Sequence, residues 1–166
     1  FESKFIWHNG NIINWDESKD HTVIHSLHYW TSCFEWIRFY NTSQWPKIFR
    51  LADHIKRLLF SASVLRMTPQ FDLEQIVEAC KNLVIQNELS DGYIRPIFYY
   101  GYGKMWLDPT WAKQEAVISV WPWGKYLSAD PISVWISKFK RLHHQTAVME
   151  AKLWWHYFNS ALSHQD

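Results

Sequence analysis

Three histidines, His21, His25 and His28, stand four and three residues apart, a spacing that on a helix turns side chains to one face as metal ligands. No acidic or cysteine partner continues the pattern, and the segment lacks a convincing helical period. Structural or turn histidines are the plainer reading, and His143-His144 offers less. Cys33 and Cys80 form no CxxC knuckle and no disulfide framework. Serines and histidines are scattered without a nucleophile-elbow motif, and no GxGxxG or Walker-type phosphate loop occurs. An aromatic content of 18% admits a stacking platform for sugars or single-stranded nucleic acid, although most aromatics in a small domain line the buried faces of strands. Lys152 alone reads as one lysine among many, and Arg57 alone as a solvated helix arginine.

The elements that must position such residues are easier to read. Asn9-Gly10 between apolar runs predicts a hairpin over residues 5–15, because a type I′ turn needs positive φ at both central positions. Residues 34–40 alternate and are rich in aromatic and β-branched side chains, which predicts a strand with residues 47–50 as its partner. Leu51, Ile55, Leu58, Leu59 and Ala62 recur at helical spacing and predict a helix over about 51–66. Asp72 with Gln75 three residues on predicts a capped second helix, with Leu73, Ile76, Val77, Cys80, Leu83 and Val84 on its apolar face. Residues 93–100 and 116–123 read as further strands, 132–139 as extended, and 157–163 as the first turns of another helix. The expected class is α+β. Residues 1–124 would form a small domain, 125–131 an interdomain linker, and 132–166 the start of a second, larger domain.

Hydrophobic residues make up 48% of the 166, enough to bury a core and to argue against disorder. A net charge of +1 leaves no electrostatic footprint for nucleic acid or a membrane surface. No apolar run reaches the roughly 18 residues of a membrane span. No charged-then-apolar stretch is found at the start of the chain, so no secretory signal is expected. A cytoplasmic setting is the expectation.

The decisive pattern is a set of motifs in order. His28-Tyr29-Trp30-Thr31-Ser32-Cys33-Phe34-Glu35-Trp36-Ile37-Arg38 resembles the HYGTSxFEGIR signature of branched-chain amino acid aminotransferases. Ile48-Phe49-Arg50-Leu51 with Asp53-His54-Ile55-Lys56-Arg57-Leu58 resembles that family's FRLxEHxxRL segment. Tyr93-Ile94-Arg95-Pro96 matches YIRP, and Trp121-Pro122-Trp123-Gly124 with Tyr126 matches PWGxY. Ala151-Lys152 through Tyr157, Asn159 and Ser160 resembles AKxGGNYxNS. Any one motif is weak; their common order over nearly the whole chain is specific.

The resemblance implies a fold-type IV enzyme dependent on pyridoxal 5′-phosphate, with residues 132–166 opening its pseudo-barrel cofactor domain. It implies transfer of the amino group of Leu, Ile or Val to 2-oxoglutarate by a ping-pong route, within branched-chain amino acid biosynthesis. Lys152 would form the internal aldimine and later shuttle a proton. Arg57 would bind the cofactor phosphate and Tyr157 the ring oxygen. Phe34, Tyr93, Arg95 and Tyr126 would line the substrate side, with Arg95 serving the second carboxylate of glutamate or 2-oxoglutarate. No metal is implied, and the full-length protein would be a homo-oligomer. D-amino acid transamination and aminodeoxychorismate lysis, on the same fold, fit the Phe34-Glu35 and Tyr93-Ile94-Arg95-Pro96 segments less well. A non-catalytic, aromatic-rich binding module is the alternative of another class.

The chain departs from the family at its tryptophans. It has 12 Trp against 5 Gly. Trp30, Trp36, Trp45, Trp106, Trp135, Trp154 and Trp155 fall where relatives are expected to carry glycine, and Trp111 aligns loosely with another such position. Trp7, Trp15, Trp121 and Trp123 fall where an aromatic is unremarkable. Glycine serves positive φ or close backbone approach, and tryptophan serves neither. Overpacking at about 1–3 kcal/mol per site would then strain a domain whose stability is roughly 5–15 kcal/mol. The pattern fits a gene whose TGA codons specify glycine and were read as tryptophan; a divergent, inactive paralogue is the rival. The resemblance further places the carboxylate that would face the pyridinium nitrogen beyond residue 166, so the chain as written is expected to be a fragment without useful transaminase turnover.

Sequencing the coding DNA separates the two accounts. We expect TGA at Trp30, Trp36, Trp45, Trp106, Trp135, Trp154 and Trp155, and TGG at Trp7, Trp15, Trp121 and Trp123. TGG throughout makes the bulky residues genuine and favours the inactive paralogue.

Overall fold

The computed structural model describes residues 3–124 and 131–165. Strands β1 (Phe5–His8) and β2 (Asn11–Asn14) form the first hairpin. Asn9 and Gly10 both take positive φ, 48° and 93°, as the Asn-Gly pair requires. A short helix α1 (His25–Tyr29) follows, then β3 (Ser32–Phe34), β4 (Ile37–Tyr40) and the brief β5 (Lys47–Ile48). Helices α2 (Leu51–Val64) and α3 (Leu73–Gln86) lead into the two longest strands, β6 (Gly92–Tyr100) and β7 (Gln114–Trp121). A 3₁₀ turn at Trp154–Tyr157 runs into α4 (Phe158–Gln165). No helix among the described residues is long and apolar enough to cross a membrane.

All strand pairs are antiparallel, in the order β2-β1-β7-β6-β4-β5, with β3 also paired to β6. The α2 and α3 helices cover one face. Their buried stripes, Leu51, Ile55, Leu58 and Ala62 on one and Ile76, Cys80, Leu83 and Val84 on the other, meet Cys33, Ile37, Phe39, Ile94, Phe98 and Val120 of the sheet in one core. The capping box expected at Asp72 and Gln75 is formed in both directions. Asn87, at the C-terminal end of α3, ties the helix layer to β1: its side-chain oxygen accepts from the Lys4 and Phe5 amides, and its amide group donates to the Phe5 carbonyl.

The single strand expected over 34–40 is two strands. Both halves keep one register against β6, Phe34 opposite Ile97 and Ile37 opposite Ile94, so no residue is inserted between them. The Glu35 amide donates to the Pro96 carbonyl at 2.9 Å, but Pro96 has no N–H to return, and the ladder lapses there. Residues 132–139, expected to be extended, contain no regular strand. The predicted 47–50 partner pairs through Lys47 and Ile48 alone, with Phe49 adding one bond to the Arg38 carbonyl. The expected linker lies almost wholly outside the described residues, but Ala151 and Leu153 beyond it belong to the same core as the sheet.

The two groups of tryptophans drawn from the sequence differ in burial at their extremes, while Trp36 and Trp155 of one group and Trp15 and Trp123 of the other are alike half-buried. Trp7 and Trp121 are buried. Trp30, Trp45, Trp106, Trp111, Trp135 and Trp154 are all exposed, between 49% and 73%. Overpacking is therefore not their main cost, because an exposed ring displaces no neighbour. Trp30 carries a backbone cost instead. It ends α1 at φ 56° and ψ 31°, in the left-handed region, where an ordinary L-residue is disfavoured by roughly 1–2 kcal/mol. Its ring stacks on Phe158 at 5.6 Å, so Trp30→Gly alone mixes strain relief with a lost contact. Comparing Trp30→Gly with Trp30→Ala isolates the backbone: we expect the glycine variant to be the more stable by about 1 kcal/mol in chemical denaturation. An alanine variant of equal or greater stability would mean that residue 30 is not left-handed.

Candidate active site

The sheet face turned away from α2 and α3 carries the even-numbered residues of β3 and β4, because successive strand side chains point to opposite sides. Across the central strands Trp36 meets Arg95, and Arg38 meets Tyr93, at the separations expected of cross-strand neighbours. Arg95 lies in an aromatic cage. Its guanidinium carbon is 4.9 Å from the Phe34 ring, 4.6 Å from Trp36 and 5.5 Å from Trp121. Burial pushes its pKa below the usual arginine value. No carboxylate among the described residues lies in ion-pair distance, and Nε has no hydrogen-bond partner there. A desolvated cation with an unpartnered Nε is suited to an anionic ligand group.

Lys152 enters this face from the sheet edge. Its carbonyl accepts from the Phe34 amide at 3.2 Å, and Leu153 bridges to Cys33. Ala151 and Leu153 are buried in the core, so alternation sends the Lys152 side chain the other way. Its amine meets the Tyr157 hydroxyl and stands 4.9 Å from both the Phe34 and the Tyr157 rings. Phe34 is thus shared by Lys152, Tyr157 and Arg95. Beside Tyr157 a cleft of about 310 Å³ opens between Trp30, Trp154, Trp155 and Phe158.

Arg57 approaches from α2. Glu35 is fully buried on the helix side of the sheet and receives Arg57 Nε at 2.5 Å and Nη2 at 2.8 Å, a two-pronged contact. His54, one turn earlier on α2, reaches the same carboxylate at 2.8 Å. Burial pushes the Glu35 carboxyl up, and the hydrogen bonds and charges of Arg57 and His54 outweigh it, leaving the pKa below the ordinary glutamate value. The same contact raises Arg57. Arg57 remains 46% exposed and borders a second cleft with Phe49, Arg50, Asp53 and His54. Tyr157 lies within Coulombic reach of Arg57 and of Arg95. A tethering amine, a phenol and an outward-facing guanidinium are a donor set that fits an aldehyde cofactor bearing a phosphate.

Of the residues singled out in the sequence, Lys152, Tyr157, Phe34 and Arg95 come together directly. Tyr93 joins through Trp36, whose ring centroid lies 5.4 Å from its own. Arg57 makes its own contacts with Glu35 and lies only within Coulombic reach of Tyr157, and Tyr126 lies outside the described residues. The three N-terminal histidines do not converge. His21 accepts from the Val23 amide, His25 bonds Thr31 and the Trp106 carbonyl, and His28 bonds the Thr22 carbonyl. Sequence reasoning missed the partnership of Glu35 with His54 and Arg57. The i, i+3 spacing of His54 and Arg57 on one helix face was its only local signal.

Residues 32–165 match the family described as amino-transferase class IV. The branched-chain-amino-acid aminotransferase of Escherichia coli K12 is 33% identical over 166 residues, covering 97% of this chain and 54% of that protein. A crystal structure of the Escherichia coli branched-chain amino acid aminotransferase superposes with a TM-score of 0.92 at 32% identity, over 97% of this chain and 55% of that one. The T.th. branched-chain amino acid aminotransferase complexed with N-(5′-phosphopyridoxyl)-L-glutamate gives 0.92 at 37% identity, over 98% and 54%. The chain spans about half the length of the curated relatives it matches.

The Glu35 cluster has a direct test. Because its folded-state pKa is depressed, its stabilisation is complete above the ordinary carboxylate pKa of about 4.3 and is lost as pH falls through the lower folded value. Glu35→Gln should lower the unfolding free energy at pH 7 by on the order of 2 kcal/mol, toward the smaller end for a buried pair because Arg57 is half in water. It should also flatten the acid side of the stability profile measured by denaturant titration. Equal stability of the two proteins at pH 7 would show that the ion pair holds nothing in place.

Proposed function

The chain belongs to the amino-transferase class IV family, and from that premise we propose that it is the part of a branched-chain amino acid transaminase that presents the cofactor lysine to the substrate. The reaction is transfer of the amino group of Leu, Ile or Val to 2-oxoglutarate. The observation that carries this reading is the meeting of the Lys152 amine, the Tyr157 hydroxyl and Arg95, which has no carboxylate beside it among the described residues, around one ring, Phe34. Residues 1–124 serve as the small domain and 132–166 as the beginning of the cofactor domain. The whole protein works as a cytoplasmic homo-oligomer.

Lys152 would hold pyridoxal 5′-phosphate covalently through Nζ, Arg57 would receive its phosphate, and the Tyr157 hydroxyl would bond its ring oxygen. When bound, that group supplies an electron sink for the pair left on the substrate carbon by deprotonation. The other steps belong to the chain. Once an incoming amino group has freed Nζ, the Lys152 amine would take the proton from the substrate α-carbon and hold it for return. Arg95 binds the distal carboxylate of glutamate or 2-oxoglutarate, where the aromatic cage has already removed water from the cation. Phe34, Tyr93 and Tyr126 form the apolar wall for a branched side chain.

Incubation with pyridoxal 5′-phosphate, borohydride reduction and peptide mass spectrometry test the assignment. We expect one phosphopyridoxyl group, on Lys152, and none in Lys152→Ala. Arg57→Ala should weaken cofactor binding about tenfold or more, the loss of a charge-assisted contact worth roughly 1.5–3 kcal/mol. Labelling spread over surface lysines and unaffected by Lys152→Ala would remove the enzyme reading and favour a binding module.

A further inference from the structure

Ser61 has no part in the chemistry above, yet its hydroxyl is engaged on both sides. It is fully buried on α2, one helical turn after Arg57, between Leu58 and Ala62 of the apolar stripe. It donates to the Arg57 carbonyl at 2.8 Å and accepts from the Lys152 amide at 2.8 Å. The Lys152 carbonyl is held by the Phe34 amide on the opposite side. The main chain at Lys152 is therefore gripped between β3 and α2, and its grip on α2 closes on the turn that carries Arg57.

We propose that Ser61 is a positioning residue that sets the Lys152 amine at a fixed distance and angle from Arg57; its functional meaning rests on the cofactor reading above. A serine bonding back to its own helix four residues earlier contributes little by itself. Ser63 on the same helix makes a comparable bond to the Phe60 carbonyl at 2.7 Å, but it is exposed. The Lys152 contact is what distinguishes Ser61. Around it the chain has only an isolated bridge rather than a strand, so no ladder replaces the bond when the hydroxyl is removed, and the N–H loses its partner. A cofactor tethered at one end to Lys152 and at the other to Arg57 needs both anchors at the right separation, and displacements of about 1 Å in such sites cost on the order of 100-fold in rate.

The test compares Ser61→Ala, Ser63→Ala and the unchanged chain in two measurements. Hydrogen exchange at the Lys152 amide reads the grip itself. Borohydride-trapped attachment at Lys152 is followed in parallel with pyridoxal 5′-phosphate and with pyridoxal, which lacks the phosphate that Arg57 receives. We expect Ser61→Ala to speed exchange at Lys152 about tenfold and to cut the preference for the phosphorylated aldehyde by a similar factor, with pyridoxal attachment little changed and Ser63→Ala silent in both. General destabilisation would slow both aldehydes equally. That result, or unaltered exchange at Lys152, overturns the proposal. Absence of Lys152 labelling in the unchanged chain sinks the cofactor reading instead, and the exchange measurement then decides whether Ser61 holds Lys152.

Discussion

Glu35 lies on the helix-facing side of the sheet, where its neighbours Cys33, Ile37 and Phe39 are apolar and fully buried. A carboxylate in that setting without partners would cost several kcal/mol or give up its charge. It keeps the charge because α2 delivers Arg57 and His54 to it. The need to compensate one buried charge thus selects the rotation and axial position of a whole helix. Leu58 and Ala62 of that helix complete the core, and Ser61 arrives opposite the Lys152 amide. A helix docked by apolar contacts alone can shift slightly at little cost, since shape is then the only constraint. A two-pronged ion pair has a much narrower tolerance.

The same short segment organises the opposite face. Phe34 and Trp36 flank Glu35 in sequence and point away from the helices, so three consecutive residues reach Arg57 on one side and the aromatic cage of Arg95 on the other. Pro96 frees the segment from the ladder at this point. The pairing register survives the interruption, and the backbone at Glu35 and Trp36 is relieved of one inter-strand bond without losing alignment. The sheet on either side keeps both faces in their places.

What could be read from the sequence followed short-range rules. The hairpin was legible because an Asn-Gly pair has few conformational options, and α3 because its capping box and apolar stripe agree. The break at Glu35 was legible in principle. It required pairing residues 32–40 with 92–99 first, after which Pro96 falls opposite Glu35. The site itself was not legible from local pattern. Glu35 and Arg57 are 22 residues apart, and Ser61 and Lys152 are 91 apart; no periodicity links such pairs. Ordered motifs pointed to Lys152 and Arg57 as a pair, but said nothing of the buried carboxylate and hydroxyl that fix their separation, because those act through partners distant in sequence.

The tryptophans bear on access to the site more than on the stability of the fold. Most of those at expected glycine positions sit at the surface, where the cost is exposed apolar area rather than a displaced core. Trp30, Trp154 and Trp155 are different in kind, for they form the walls of the cleft beside Tyr157. With glycine at these positions the walls recede to bare backbone, and the cleft widens toward the phenol that bonds the Lys152 amine. Trp36 has the same relation to the other side, covering the Arg95 guanidinium at 4.6 Å. Removing that ring uncovers one face of the cation to a carboxylate while Phe34 and Trp121 still shield it. The identity of a few residues that the scaffold tolerates therefore sets how open the space around Lys152 and Arg95 is.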